Sequence, residues 1–213
     1  FTRKAPPPVT KLPSTNLIGI DRGEKIPAAY AIIDPKGKWL VNQQRYEAFN
    51  QALLDWINKG GKIIALAGAL DHFADTDPFK LQKKENEELD TTEIPYGDRS
   101  RNEISLMTTG SVFEASLDQS HPLSFGLNRY HTLKLNEDAY EFLENGSNAL
   151  TLGNNARAVA GFIGFKAIEN QNKSLLVGEE RKGRGKLIYF VDNVLFRGFW
   201  YSGKMAFTNA LFF

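Results

Sequence analysis

The sequence contains no cysteine, and its 213 residues include three histidines, His72, His121 and His131. Without thiols the chain can form no disulfide, no thiolate metal site and no cysteine nucleophile. Zinc needs several ligands at compatible spacing, such as two histidines one helical turn apart, and these three histidines are not spaced in that way. We therefore expect no metal and no other cofactor in this chain.

The sequence also lacks an excess of either charge and a long apolar run. Its 26 basic and 25 acidic residues give a net charge of +1. This balance argues against nucleic acid as a partner, since nucleic-acid binding normally needs a strongly basic surface. No apolar run is long enough to span a bilayer. A basic cluster between Arg181 and Lys186 is interleaved with glycine and is interpreted as a solvated hairpin tip.

Residues 1–13 contain four prolines and are predicted to form an extended linker. An ordinary disordered terminus is an equally good interpretation of that composition. Residues 14–213 have the length of one α/β domain. The sequence starts abruptly, so we expect a fragment of a longer protein, with a domain that is either truncated or remodelled at its start.

The hydrophobic pattern predicts an alternation of strands and helices. A strand at 29–34, a helix at 45–59 and a strand at 62–67 form a predicted βαβ unit, which implies parallel pairing. Residues 71–103 are polar and are predicted to be mostly loop, with a short helix from Phe79 as an option. Strands at 174–180 and 186–191 flank the hairpin tip, and residues 204–213 are predicted to form a closing helix.

Polar residues follow the predicted central strand 186–191, which is a continuous apolar run. Asp192 and Asn193 come directly after it, and ligands in α/β sheets gather at the carboxyl ends of strands. Arg197 follows among aromatic residues and could bind an anion, although packing of its stem against the protein is the favoured interpretation. Any small-molecule or peptide ligand is expected between residues 66–69 and 192–193, where the amides after Gly68 point. The competing interpretation is that Leu66 fills this crevice.

Four segments carry a family resemblance: WINKGGKIIALAGAL at 56–70, GSVFEASLDQSHPLSFG at 110–126, AGFIG at 160–164 and GRGKLIYFVDNVLFRGFW at 183–200. Together they resemble the glutamine-amidotransferase-like domain that follows the catalytic domain in bacterial (Bacteroidetes-type) zinc carboxypeptidase family proteins. The resemblance implies a class I glutamine-amidotransferase-like (flavodoxin-like) α/β fold. In that fold a mostly parallel sheet is flanked by helices, here with a β-hairpin near the C-terminus.

The resemblance also implies that amidotransferase chemistry is lost. It places the family's cysteine nucleophile two residues before Gly68, at Leu66, which has no nucleophilic atom. No histidine occurs among residues 191–195, where the family's base would lie. We therefore expect no catalytic residue here, and a non-catalytic accessory domain of an exported zinc carboxypeptidase-like protein. The upstream peptidase domain would be its partner in cis and would hold the zinc.

An independent hydrolase with an unrecognised carboxylate site is the alternative. Carboxylates are plentiful in the sequence, but nothing in their spacing selects a pair that could act together. The missing nucleophile and base favour the accessory domain over the hydrolase.

Overall fold

The computed structural model describes residues 18–21, 29–32, 43–85, 94–198 and 200–213. The chain divides into two compact units, residues 1–52 and residues 53–213. The predicted linker at residues 1–13 lies outside the described residues.

In the first unit, two short strands pair antiparallel. They are β1 (Ile18–Asp21) and β2 (Ala29–Ile32), with Ile18 opposite Ile32. The sequence predicted β2 but not β1, and it predicted a parallel βαβ unit. The pairing described for β2 is with β1, and β3 pairs with β10 in another sheet, so the predicted parallel pairing of residues 29–34 with residues 62–67 is not among the described pairings.

The second unit contains the remaining strands and most of the helical residues. The helices are α1 (Gln43–Asn58, which contains the division between the units), α2 (Tyr96–Leu106), α3 (Phe165–Gln171) and α4 (Tyr201–Phe212). The strands are β3 (Lys62–Leu66), β4 (Thr108–Glu114), β5 (Ser116–Leu117), β6 (His131–Lys134), β7 (Gly146–Leu152), β8 (Ala158–Ile163), β9 (Ser174–Lys182) and β10 (Gly185–Phe190).

The larger sheet has five strands in the order β3-β10-β9-β7-β5. Only β3 and β10 pair in parallel, with Lys186 opposite Lys62 and Phe190 opposite Leu66, and the other three described pairings are antiparallel. The prediction of a mostly parallel sheet is therefore confirmed for this one pairing. The two-residue connection from Lys182 to Gly185, with Gly183 at φ +57°, permits only an antiparallel turn between β9 and β10.

The smaller sheet is antiparallel, in the order β6-β4-β8. The pattern of residues 107–117 predicts a single strand, but the chain divides there into β4 and β5, which belong to different sheets. The sequence did not predict β7. α2 forms within the stretch that was predicted to be mostly loop, and Phe79 starts no helix.

One core lies where the two sheets and α4 meet. Its fully buried residues include Phe113 of β4, Tyr130 of the segment before β6, Ile188 and Phe190 of β10, and Ala206 of α4. Small residues on α4 let that helix approach the sheets closely. The predicted hairpin, central strand β10 and closing helix are thus confirmed, and all belong to this core. None of the helices that the structure describes is long and apolar enough to cross a membrane.

Candidate functional site

The parallel pair β3 and β10 positions the residues that the sequence singled out. Leu66 ends β3 opposite Phe190 and packs, partly buried, against the core. A 3₁₀ helix, Ala67–His72, starts immediately afterwards and contains Gly68. Leu66 therefore occupies the edge of the predicted crevice with an apolar side chain.

The turn from β3 into the 3₁₀ helix is strained at Ala67, whose φ is +47°. A nucleophile elbow places its nucleophile on such a sharp, strained strand-to-helix turn. The left-handed residue of this turn is Ala67, one residue beyond Leu66, and the assignment of Leu66 as the degenerate nucleophile position stays a prediction. Spacing from Gly68 could not reveal this, because backbone strain has no direct signature in the residue types. Neither alanine nor leucine offers a nucleophilic atom.

Asp192 follows β10 and is buried, with 7% of its surface exposed. Its Oδ2 accepts a hydrogen bond from Thr132 Oγ1, and its Oδ1 lies 3.3 Å from Lys134 Nζ. Both partners belong to β6, so the carboxylate joins the end of the larger sheet to the smaller sheet. Both of its oxygens are engaged within the protein.

Lys134 is fully buried, and its ammonium group also donates to the carbonyl oxygen of Asp138 at 2.6 Å. Removing both charges from water is costly, and such a pair persists only with good geometry and additional hydrogen bonds. The bonds to Thr132 and Asp138 supply these. Breaking the pair from either side would leave an uncompensated buried charge.

Tyr130 lies two residues before Thr132 and is also buried. Its burial and the nearby charge of Asp192 both raise the pKa of the Tyr130 phenol well above its usual range. Thr132 and Lys134 were not among the residues predicted from the sequence. A signal for them exists, because Thr132 and Lys134 alternate along β6 and must share one face of the strand.

Asn193 and Arg197 do not join Asp192 in a common site. Asn193 is exposed, and its Oδ1 accepts a hydrogen bond from the Leu195 amide at 3.1 Å. Arg197 is exposed at φ +48°, with its guanidinium 5.1 Å from the centroid of the Phe196 ring. The segment is tied to β6 by Trp200, whose Nε1 donates to the His131 carbonyl oxygen at 2.7 Å.

A cavity of about 420 Å³ lies elsewhere, beside α2 and α3. Its lining includes the carboxylates of Glu85, Glu137 and Glu169, the amine of Lys166, and apolar Met107. Glu137 is held in place, because its Oε1 accepts a hydrogen bond from the Thr108 amide at 2.8 Å. Sequence reasoning did not select these carboxylates, since they come from segments far apart in the chain.

Within the described ranges, no three histidine, aspartate or glutamate side chains converge as ligands for a metal ion. The expectation that this chain holds no cofactor stays a prediction.

No family model matches the chain, and no curated protein matches it. A crystal structure of a ThuA-like protein from Bacteroides uniformis is similar, with 12% sequence identity and a TM-score of 0.38. The similarity covers 80% of this chain and 63% of that one, so the chain spans less than two thirds of its structural neighbour. At this identity and TM-score the similarity carries no statement about function.

The resemblance to zinc carboxypeptidase family proteins was wrong. No family model matches the chain that contains the four segments. The structural similarity is to a ThuA-like protein instead. Short apolar strands with small residues after them, such as KIIALAG, recur in many α/β proteins, so they do not distinguish one family. A peptidase partner in cis, zinc in a parent protein and export rested on this resemblance alone and stay untested predictions.

Proposed function

We propose that this chain is a non-catalytic domain, whose strand-end polar residues stabilise the fold and whose function is to support or bind another molecule. The observation that carries this proposal is the engagement of both Asp192 oxygens by Thr132 and Lys134. The strained turn after β3 is formed by Leu66 and Ala67, and neither residue can act as a nucleophile.

The energetics of the pair argue against a ligand at Asp192. A ligand that drew Asp192 away would leave Lys134 buried without its counter-charge, which costs about 3–5 kcal/mol. That cost corresponds to a loss of about two to four orders of magnitude in affinity. The other residues of the expected site are more accessible than Asp192; they are Gly68, Asn193 and Arg197. The Asp192 carboxylate, which was expected to complete a site with them, is bound by Thr132 and Lys134.

The finer assignment to a glutamine-amidotransferase-like fold is part of the proposal. The parallel pair β3 and β10 and the left-handed residue after β3 support it. The antiparallel pairings of β9, β7 and β5 depart from a flavodoxin-like sheet. On this proposal the region around β3 and β10 keeps the strand-and-turn geometry of a glutamine-amidotransferase-like fold, and the rest of the sheet departs from that fold.

A second candidate is a hydrolase that uses carboxylates. The observation that favours it is the cavity beside α2 and α3, which has the carboxylates of Glu85, Glu137 and Glu169 in its lining. Paired carboxylates across a cleft are the chemistry of glycoside hydrolysis. The same cavity also suits the binding function of the first candidate, because its volume falls within the range of small-molecule sites.

Activity assays on the purified chain separate the two candidates. The assays use glutamine, a peptide, an ester and an aryl glycoside, with the variants Asp192→Asn and Glu137→Gln. Glu144→Gln provides a control, since Glu144 is exposed and lies outside the cavity lining. We expect no turnover of any substrate by the unmodified chain.

Two results would change the assignment. Turnover that is lost in Glu137→Gln but kept in Glu144→Gln, at equal melting temperatures, selects the hydrolase. Turnover that is lost in Asp192→Asn at an unchanged melting temperature contradicts the structural role given to Asp192.

A further inference from the structure

Asn145 lies in the turn that leads into β7. It is exposed, and none of the described residues binds its side-chain amide. The next residue is Gly146, and no other asparagine in the sequence precedes a glycine. This dipeptide favours deamidation, because glycine has no Cβ to shield its amide nitrogen and adopts the conformations that bring this nitrogen to the asparagine side chain.

The packing requires the glycine but not the asparagine. A Cβ at position 146 would lie 2.6 Å from the carbonyl oxygen of Glu179 and 3.0 Å from the side chain of Leu143. Gly146 also lies opposite Glu180 in the ladder between β7 and β9, so a larger residue there would push the two strands apart. Among the described residues, by contrast, no side-chain contact depends on Asn145.

The ends of the turn are held, and its tip is exposed. Asn148 Oδ1 accepts a hydrogen bond from the Leu143 amide at 2.9 Å, and Asn148 Nδ2 donates to the Leu143 carbonyl oxygen at 3.1 Å. Residues 144–147 between them are exposed. Gly146 is the first residue of β7, and the ends of strands open at a low free-energy cost. The Gly146 amide can therefore reach Asn145 while the rest of the sheet stays paired.

We propose that Asn145 is a deamidation site. The amide nitrogen of Gly146 attacks Asn145 Cγ and closes a succinimide ring. The bond between Cγ and the side-chain nitrogen breaks, and this nitrogen leaves as ammonia with the proton of the Gly146 amide. Water then opens the ring at either carbonyl carbon, which gives aspartate or isoaspartate. The net reaction takes up water and releases ammonia, without an oxidant, a reductant or a cofactor.

The modification changes the turn in two ways. Both products place a new carboxylate beside Glu144, and isoaspartate also lengthens the backbone just before β7. The reaction needs no ligand and no partner, so it does not depend on the proposed function.

Peptide mass spectrometry of the purified chain, incubated in mildly alkaline buffer, tests the proposal. We expect the mass gain of an amide-to-acid conversion to accumulate at Asn145 several-fold faster than at Asn193. Asn193 is a control within the same sample, because it is exposed but its Oδ1 is bound by the Leu195 amide at 3.1 Å and the next residue is Val194. Labelling with an isoaspartate methyltransferase should detect isoaspartate in the same peptide as Asn145.

The variant Asn145→Gln should lose this label, because glutamine would have to close a larger and less favourable ring. Its melting temperature should equal that of the unmodified chain. Conversion at Asn145 that is no faster than at Asn193 in the folded chain overturns the proposal, and a sample denatured in guanidinium chloride shows whether the fold is what protects the residue. Conversion to aspartate without isoaspartate would also refute it, since the succinimide yields both products.

Discussion

Ala67 and Asp192 follow two neighbouring parallel strands, and their side chains determine what chemistry the strand ends can perform. Ala67 occupies a strained backbone position without a reactive atom. Asp192 has a reactive group, but Thr132 and Lys134 hold it inside the protein. The two residues together give the strand ends a structural role.

Replacing Ala67 by glycine tests the strain at the turn. An L-residue in the left-handed region costs about 1–2 kcal/mol, whereas glycine adopts that region freely but loses about 0.5–1 kcal/mol of backbone entropy. We therefore expect Ala67→Gly to leave the free energy of unfolding unchanged or raise it by up to about 1.5 kcal/mol, measured by denaturant titration.

Ala69→Gly is the matched control, because Ala69 lies in the same 3₁₀ helix and is not among the residues with positive φ. It should lower the free energy of unfolding by about 0.5–1 kcal/mol. If Ala67→Gly destabilised the protein as much as Ala69→Gly, the turn would not be strained in solution.

Among the elements, β10 connects the site to the core. It pairs in parallel with β3 on one side and antiparallel with β9 on the other, and it ends at Phe190, two residues before Asp192. Its apolar residues are buried on both faces, which is why a continuous apolar run identified it correctly. β8 differs, because it is an edge strand of the smaller sheet and most of its residues are exposed.

The contrast between these strands predicts different costs for truncating a side chain. Ile188 in β10 is fully buried, and Ile188→Ala should lower the free energy of unfolding by about 2–5 kcal/mol. Val159 in β8 is 55% exposed, so Val159→Ala is a control that should cost under about 1 kcal/mol. A small effect of Ile188→Ala in denaturant titrations would place β10 at an edge and contradict the sheet order.

The sequence revealed elements whose pattern is local. The hairpin of β9 and β10 was predictable because glycine lies between two apolar runs, and α4 because apolar and small residues continue over several turns. The pairing direction of β7 and β5 depends on contacts between distant segments, which periodicity does not encode. The Lys134–Asp192 pair was missed for the same reason, since 58 positions separate its members (192 − 134).

At the scale of the molecule, the second unit contains two sheets that are joined by an apolar core and by the buried Lys134–Asp192 junction. The core supplies apolar contacts between the sheets through residues such as Phe113 and Phe190. The junction adds directional bonds between Asp192 of one sheet end and Thr132 and Lys134 of the other sheet. Such bonds favour one relative placement of the two sheets, which apolar contacts alone specify less strictly.

The central claim is that Asp192 is a structural residue paired with Lys134, and a double-mutant cycle measures it most directly. The cycle uses Asp192→Asn, Lys134→Met and the double variant, with free energies of unfolding from denaturant titration. The exposed pair Glu114 and Arg129, whose closest atoms are 2.9 Å apart, provides a control cycle.

We predict a favourable coupling of about 1–3 kcal/mol between Asp192 and Lys134, larger than that of the exposed pair, which should be under about 1 kcal/mol. The double variant should be more stable than the sum of the single effects implies, because it leaves no buried charge unpaired. A coupling near zero would contradict the account, since Asp192 would then be free to bind a ligand or act on a substrate.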